Sequence, residues 1–303
     1  MLIDMRKIRT YTEVTHETGS QLLEQVLELD QRLADRLSRV GSVVAVASGK
    51  GGVGKSAVTA NLAAALAQRG LEVGAADADL NGPSLGRMLG VSGAHLVDRS
   101  DGVEPALSPT GVRVMSMELL QQDEDLPLRW REPSTGRFIW QSAMETGALR
   151  EFLGDVAWGD LDVLLVDVPP GTDKIARLLE LVPGLHQMLL VTTPSEAARF
   201  VVSKSVRMAR EAEVSTVALV ANMTEHVCPS CGHTSQLFSG DGARRLAEES
   251  GVPLWADIPF DGRLGASTDL GSPLVLEDPE AASSRALLAL ADRVAATMEG
   301  SAR

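Results

Sequence analysis

Mostly apolar runs punctuate the chain at Val43–Ala47, Leu71–Ala76, Val112–Met115, Val163–Val166, Met188–Val191, Val217–Ala221 and Pro253–Ile258. Stretches with helical spacing lie between most of them: an Ala-rich segment through Gln68, then Thr146–Leu153, Ser195–Ala212, Gly242–Ser250 and Ala281–Met298. Strands that are apolar throughout and alternate with helices need cover on both sides. The pattern therefore predicts an α/β fold, a mostly parallel, doubly wound sheet with helices on both faces.

Ahead of this alternation, Leu22, Leu23, Val26, Leu27, Leu29, Leu33 and Leu37 recur near the helical period. They predict an amphipathic helix from about Ser20 to Arg39 that covers a domain edge or meets a second copy. The chain is thus divided into an N-terminal extension, residues 1–40, and a main domain, residues 41–303. Asp98–Gly111 and Gln121–Trp140 are the least regular segments and read as a surface excursion and a long functional loop.

Composition narrows the class. Of 303 residues 44% are hydrophobic but only 3% aromatic, so the core is built from Ala, Val and Leu. No window holds the roughly eighteen consecutive apolar residues of a membrane span. The opening MLIDMRKIRTYTE has no apolar signal region. A net charge of −13 argues against nucleic acid as a partner, because phosphate contacts need clustered Lys and Arg. Two cysteines cannot staple a chain of this size, and a reducing, cytoplasmic setting is expected.

The run Val43–Ala47 leads into Ser48-Gly49-Lys50-Gly51-Gly52-Val53-Gly54-Lys55-Ser56-Ala57 and then a helix. Gly49, Gly54, Lys55 and Ser56 satisfy G-x-x-x-x-G-K-[ST] in the strand–loop–helix setting that the motif requires. Glycines let the backbone wrap a phosphate, and the helix start adds positive potential. Gly49 through Ala57, including Gly51, Gly52 and Val53, are expected to cradle the nucleotide. Lys55 would reach the β- and γ-phosphates, and Ser56 would ligate Mg²⁺. Lys50 adds a second cation to the loop.

Carboxylates follow two later strands. Asp77 and Asp79 lie in Asp77-Ala78-Asp79-Leu80-Asn81-Gly82-Pro83-Ser84, and Asp167 ends Leu164-Leu165-Val166-Asp167. At strand ends they are placed to hold Mg²⁺ and its waters or to orient an attacking water. Asn222 closes the sixth apolar run, where its amide matches an adenine edge. No N-K-x-D element follows, which favours ATP over GTP. Pro259 and Asp261 would complete the base pocket.

Both cysteines sit in Val227-Cys228-Pro229-Ser230-Cys231-Gly232. Two thiolates at this spacing supply half a metal site, for zinc or an iron–sulfur cluster. The other ligands must come from the flanking His226 and His233, from small molecules, or from a second copy.

Together KGGVGKS, DADLNGPS, WRE, WGDLDVLLVDVPPGT, VTTP, NM, CPSCG and IPFD occur in the order seen in the Mrp/ApbC/Nbp family, which this chain resembles from about Gly41 to Pro273. The resemblance implies a P-loop ATPase of the MinD/ParA superfamily that carries or assembles iron–sulfur clusters. It implies a homodimer in which two Cys228/Cys231 pairs hold a bridging 4Fe–4S cluster for transfer between cluster donors and apo iron–sulfur proteins. Lys50 becomes the lysine that crosses to the partner's nucleotide, and Lys55 the Walker lysine. Asp79 becomes the carboxylate acting on the attacking water, with Asp77 beside it, Asp167 the Walker B acid and Asn222 the adenine reader. Ala57 stands where the family has Thr, Asn81 where it has Tyr and Glu132 where Gly is common; Asp173 follows Thr172 without the usual Gly. Two rival readings share these residues: a positioning ATPase like MinD or ParA, and a zinc-bridged dimeric metal-insertion ATPase. The former needs a basic tail or patch for membrane or DNA, and Ala281–Met298 is not strongly basic.

Overall fold

The computed structural model describes residues 19–79, 82–120, 146–147, 149–227, 231, 233–238 and 240–301. The Gln121–Trp140 loop, Leu80, Asn81 and Cys228 lie outside them.

Seven strands answer the seven apolar runs: β1 (Val40–Ser48), β2 (Val73–Asp77), β6 (Arg113–Met115), β7 (Leu161–Asp167), β8 (Gln187–Thr192), β9 (Thr216–Val227) and β11 (Leu254–Phe260). They form one sheet in the order β6–β2–β7–β1–β8–β9–β11, and every pairing among them is parallel. Antiparallel pieces are added at two places: β5 (Ala106–Leu107) on the edge strand β6 and β10 (Thr234–Gln236) on the far end of β9. Strands β3 (Val97–Arg99) and β4 (Gly102–Glu104) make a separate hairpin. The Asp98–Gly111 excursion is therefore more ordered than its composition predicts. Its strands are short, and β3 is exposed throughout, so no hydrophobic period marks them.

Topology explains where a ligand belongs. β1 is followed by β2, which lies beyond β7; β7 is followed by β8, which lies beyond β1. The two crossovers leave in opposite directions, and right-handed connection puts their helices on opposite faces. These helices are α2 (Lys55–Gln68) and α4 (Thr172–Leu181). Between the carboxyl ends of β1 and β7 the chain diverges, which is where open α/β sheets bind ligands.

On one face α2 packs with α8 (Leu274–Glu277) and α9 (Ala282–Ser301); on the other α4 packs with α5 (Glu196–Glu211), and α5 with α6 (Gly242–Ser250). Two further helices, α3 (Leu85–Met88) and α7 (Gly262–Asp269), lie near α2. Val44, Ala45, Val46, Leu164, Leu165, Val166, Leu189 and Leu190 are fully buried in the central strands. Helix α4 escapes the sequence pattern because only Ile175, Leu178 and Leu181 mark its buried side.

The N-terminal helix forms as α1, Gly19–Leu37. Leu33 is buried against Gly154, Arg32 pairs with Asp155 at 3.1 Å, and Arg150 reaches Asp30 at 2.7 Å. The helix covers the segment that leads into β7, the domain-edge role its spacing predicts.

Candidate functional site

The loop after β1 turns back through Gly52 and Gly54, with φ of +76° and +80°. Non-glycine residues rarely adopt this region. A Cβ on Gly54 would also run into the Asn222 amide. At the loop's other end Gly49 sits so close to Val201 of α5 that a Cβ would lie 2.7 Å from its Cγ1. The loop is thus clamped between β9 and α5, and α2 begins at Lys55 without a side-chain cap. Its first N–H groups are left for an acceptor from outside the helix. Lys50, Gly51 and Gly52 are exposed, whereas Val53 and Lys55 are buried.

Asp167, at the end of β7, gathers the loop's polar groups. Its Oδ2 receives the Lys55 ammonium at 2.6 Å and the Ser56 hydroxyl at 2.6 Å. Its Oδ1 receives the Thr59 hydroxyl at 2.7 Å. The carboxylate is fully buried, so an ion pair with hydrogen bonds on both oxygens is the arrangement that makes its charge tolerable. A serine hydroxyl beside an aspartate is a hard-oxygen donor pair, and it fits Mg²⁺ at the end of a phosphate chain.

Asp77 aligns with Asp167 across β2 and β7. Burial, and next the charge of Asp167, push its carboxyl up from 3.8 to about 7, against the N–H groups of Leu85, Ser84 and Asp79. Those N–H groups define its task. Oδ2 accepts from Ser84 at 2.8 Å, Leu85 at 2.9 Å and the Ser116 hydroxyl at 3.3 Å; Oδ1 accepts from Asp79 at 3.1 Å. Both oxygens are engaged in holding the turn into α3. Asp79 is half-buried, and its Oδ1 accepts from Gly82 at 3.1 Å.

Asn222 lies beside the loop. Its amide donates to the Val53 carbonyl at 2.8 Å, tying β9 to the P-loop. One donor of the amide is thus engaged within the protein. Its Oδ1 is buried without a hydrogen-bond partner among the described residues, so the acceptor half remains open. Asp261 begins α7, where it receives the Arg263 N–H at 3.0 Å and the Ser283 hydroxyl at 3.0 Å. Burial works against its charge, but bonds from the Arg263 side chain and backbone and from Ser283 outweigh it and hold the carboxyl below its ordinary value. Pro259 precedes it, half-buried, and Ile258 of the same strand pairs with Asn222.

Strand β9 runs on past Asn222 to Val227 and pairs back with β10. The Cys228–His233 segment is the connection of this hairpin. Cys231 is a free, exposed thiol, whereas Cys228 lies outside the described residues. His233 is exposed, and the His226 ring packs 6.0 Å from that of Phe260. Among the described residues no group of three or more His, Cys, Asp and Glu could hold a metal. Nor is any described helix long and apolar enough to cross a membrane.

Thr59 and Asn61 escaped the sequence reading. Asn61 links α2 to α8, donating to the Ala57 carbonyl at 2.9 Å and accepting from the Val275 N–H at 3.1 Å. The available signal was two polar residues inside the otherwise apolar stretch Val58–Leu66.

A phosphate-loop turn at the switch point of a doubly wound parallel sheet, with an acidic strand end facing it, defines a P-loop nucleotide-binding protein. A family model described as NUBPL iron-transfer P-loop NTPase matches residues 39–295, and the chain belongs to that family. It is 37% identical over 277 residues to the iron-sulfur cluster carrier protein of Saccharolobus solfataricus, an alignment covering 91% of this chain and 90% of that one. Among solved structures it resembles a nucleotide-binding protein in complex with ADP from Archaeoglobus fulgidus (TM-score 0.69, 35% identity, 83% of this chain and 94% of that one). The cell division ATPase MinD of Pyrococcus furiosus shares the fold (TM-score 0.58, 24% identity, 84% of this chain and 98% of that one).

Proposed function

We propose that this protein is an ATP-hydrolysing iron–sulfur cluster carrier, working as a cytoplasmic homodimer that passes a 4Fe–4S cluster from cluster donors to apo-proteins. The observation that carries this reading is the path of β9. Asn222 on that strand is hydrogen-bonded to the P-loop, and the same strand ends at Val227, where the cysteine segment begins. A change at the nucleotide has a stiff, continuous route to the thiols. Relatives named as iron-sulfur cluster carriers and a neighbour solved with ADP support the pairing of these two sites.

In this reading residues 1–40 are an extension and residues 41–303 the ATPase domain. The loop from Gly49 to Ala57 cradles the phosphates. Lys55 leaves Asp167 for the β- and γ-phosphates, and Ser56 and Asp167 hold Mg²⁺, which neutralises charge on the phosphoryl oxygens. Lys50, exposed and with no described partner, reaches the nucleotide of the second subunit. Asp79 orients the attacking water. The open Oδ1 of Asn222 accepts from the adenine amino group, with Pro259 and Asp261 beside the base. Cys228 and Cys231 of each copy hold the cluster as cargo, and two-fold symmetry supplies four thiolates.

Anaerobic reconstitution with iron and sulfide tests the proposal. We expect uptake of about four iron and four sulfide per dimer, lost in Cys228→Ala and in Cys231→Ala. Stoichiometric zinc in the purified protein without cluster uptake would favour the metal-insertion reading and defeat this one.

A further inference from the structure

We propose that Thr59 is a positioning residue for Asp167, holding that carboxylate in the orientation needed once Lys55 and Ser56 turn to the nucleotide. The proposal rests on the reading of Ser56 and Asp167 as the Mg²⁺ end of the site.

In the structure Asp167 has two groups of partners. Lys55 and Ser56 share Oδ2, at 2.6 Å each, and Thr59 alone takes Oδ1, at 2.7 Å. Lys55 and Ser56 are the groups that the phosphates and the metal recruit. When they leave, Thr59 is the one remaining hydrogen-bond donor described on the carboxylate. An aspartate's terminal torsion is broad and twofold, so a carboxylate without that bond samples orientations that do not face the metal. Asp167 and Thr59 are both fully buried, so their bond is shielded from bulk water.

Helix geometry aims the hydroxyl. Thr59 lies one turn after Lys55 on α2, and its Oγ1 is also 3.0 Å from the Lys55 carbonyl. A threonine in a helix favours this rotamer because it can bond the preceding turn. The same rotamer points the hydroxyl at Asp167. With a single proton to donate, the ionised carboxylate is the stronger acceptor. The Thr59 hydroxyl is thus aimed by its rotamer and held by its bond to Asp167 before any ligand arrives.

The experiment compares the full-length wild type with Thr59→Val, Thr59→Ala and Thr59→Ser, titrated with a fluorescent ADP analogue in excess Mg²⁺ and in EDTA. Valine keeps the shape and removes the hydroxyl, alanine keeps the helix, and serine restores the hydroxyl. A lost bond to a charged group predicts about a tenfold or greater weakening in Mg²⁺ for Thr59→Val and Thr59→Ala. In EDTA their affinities should stay within about twofold of wild type, and serine should recover most of the loss in Mg²⁺. A merely structural threonine would lower both affinities alike. That result, or an unchanged Thr59→Val, or a failure of serine to rescue, overturns the proposal while leaving the nucleotide site standing. Wild-type binding that does not depend on Mg²⁺ overturns the metal-site reading and this inference with it. Thr59→Ala provides the same comparison should valine prevent folding.

Discussion

The ion pair between Lys55 and Asp167 makes a quantitative prediction about the nucleotide-free protein. Its atoms are 2.6 Å apart, with side chains 8% and 0% exposed. Replacing Lys55 by methionine keeps the length of the side chain and deletes its charge. Asp167 keeps Ser56 and Thr59 but faces Asp77 without a cation. Removing one partner of a buried pair costs about 3–5 kcal/mol, because the other charge stays desolvated. For a chain of this length that is roughly 5–8 °C in melting temperature. Asp77, which burial and the Asp167 charge already raise to about 7, has an escape, which is to bind a proton. The deficit of Lys55→Met should therefore be largest near pH 8 and shrink toward pH 6. Asp167→Asn in the same background removes the stranded charge and should recover part of the loss, a coupling that a double-mutant cycle reads directly. Thermal and denaturant unfolding without nucleotide, at both pH values, measure all three variants. A Lys55→Met protein within about 1 kcal/mol of wild type at pH 8 would refute the reasoning, since the cost of stranding a buried charge would be missing.

Other sites give independent checks. Asp77 binds its proton more tightly in the folded state than in the unfolded chain, since burial and Asp167 raise it from 3.8 to about 7. Its contribution therefore makes stability fall as pH rises from about 4 to about 7 and level off above that, and Asp77→Asn should flatten this slope in denaturant titrations. Gly54→Ala forces a β-carbon onto a φ of +80° and into the Asn222 amide, so nucleotide affinity should fall by more than about tenfold by calorimetry. Asn222→Ala should relieve only the steric part. Leu33→Ala should cost about 2–4 kcal/mol and expose α1 to protease, as Leu33 is 2% exposed and is the buried anchor of that helix on Gly154.

What could be read along the chain was what is local. The P-loop is contiguous, its glycines are demanded by backbone angles, and β1 and α2 flank it in sequence as in space. The parallel sheet was legible because strands buried on both faces leave unbroken apolar runs, and α1 because leucines repeat at the helical period. The short strands β5 and β10 were not, since two or three residues carry no period. The strand β9 reaches Val227, well beyond the apolar run at Val217–Ala221, because pairing with β10 and β11 continues it through polar residues.

The site divides in the same way. Sequence alone determined which residue types the site draws on: Lys55 and Ser56 at the start of α2, Asp77 and Asp167 at strand ends, and Asn222 on β9. It could not say how each is engaged, because a carboxylate or an amide acts through the partner it meets, and those partners are remote in the chain. Asn222 meets Val53 across 169 positions, and Thr59 meets Asp167 across 108. For Asp77 those partners are the N–H groups of Ser84 and Leu85 on Oδ2 and that of Asp79 on Oδ1. Backbone chemistry is written locally, whereas desolvation and hydrogen-bond pairing are settled only when the sheet brings distant strand ends together.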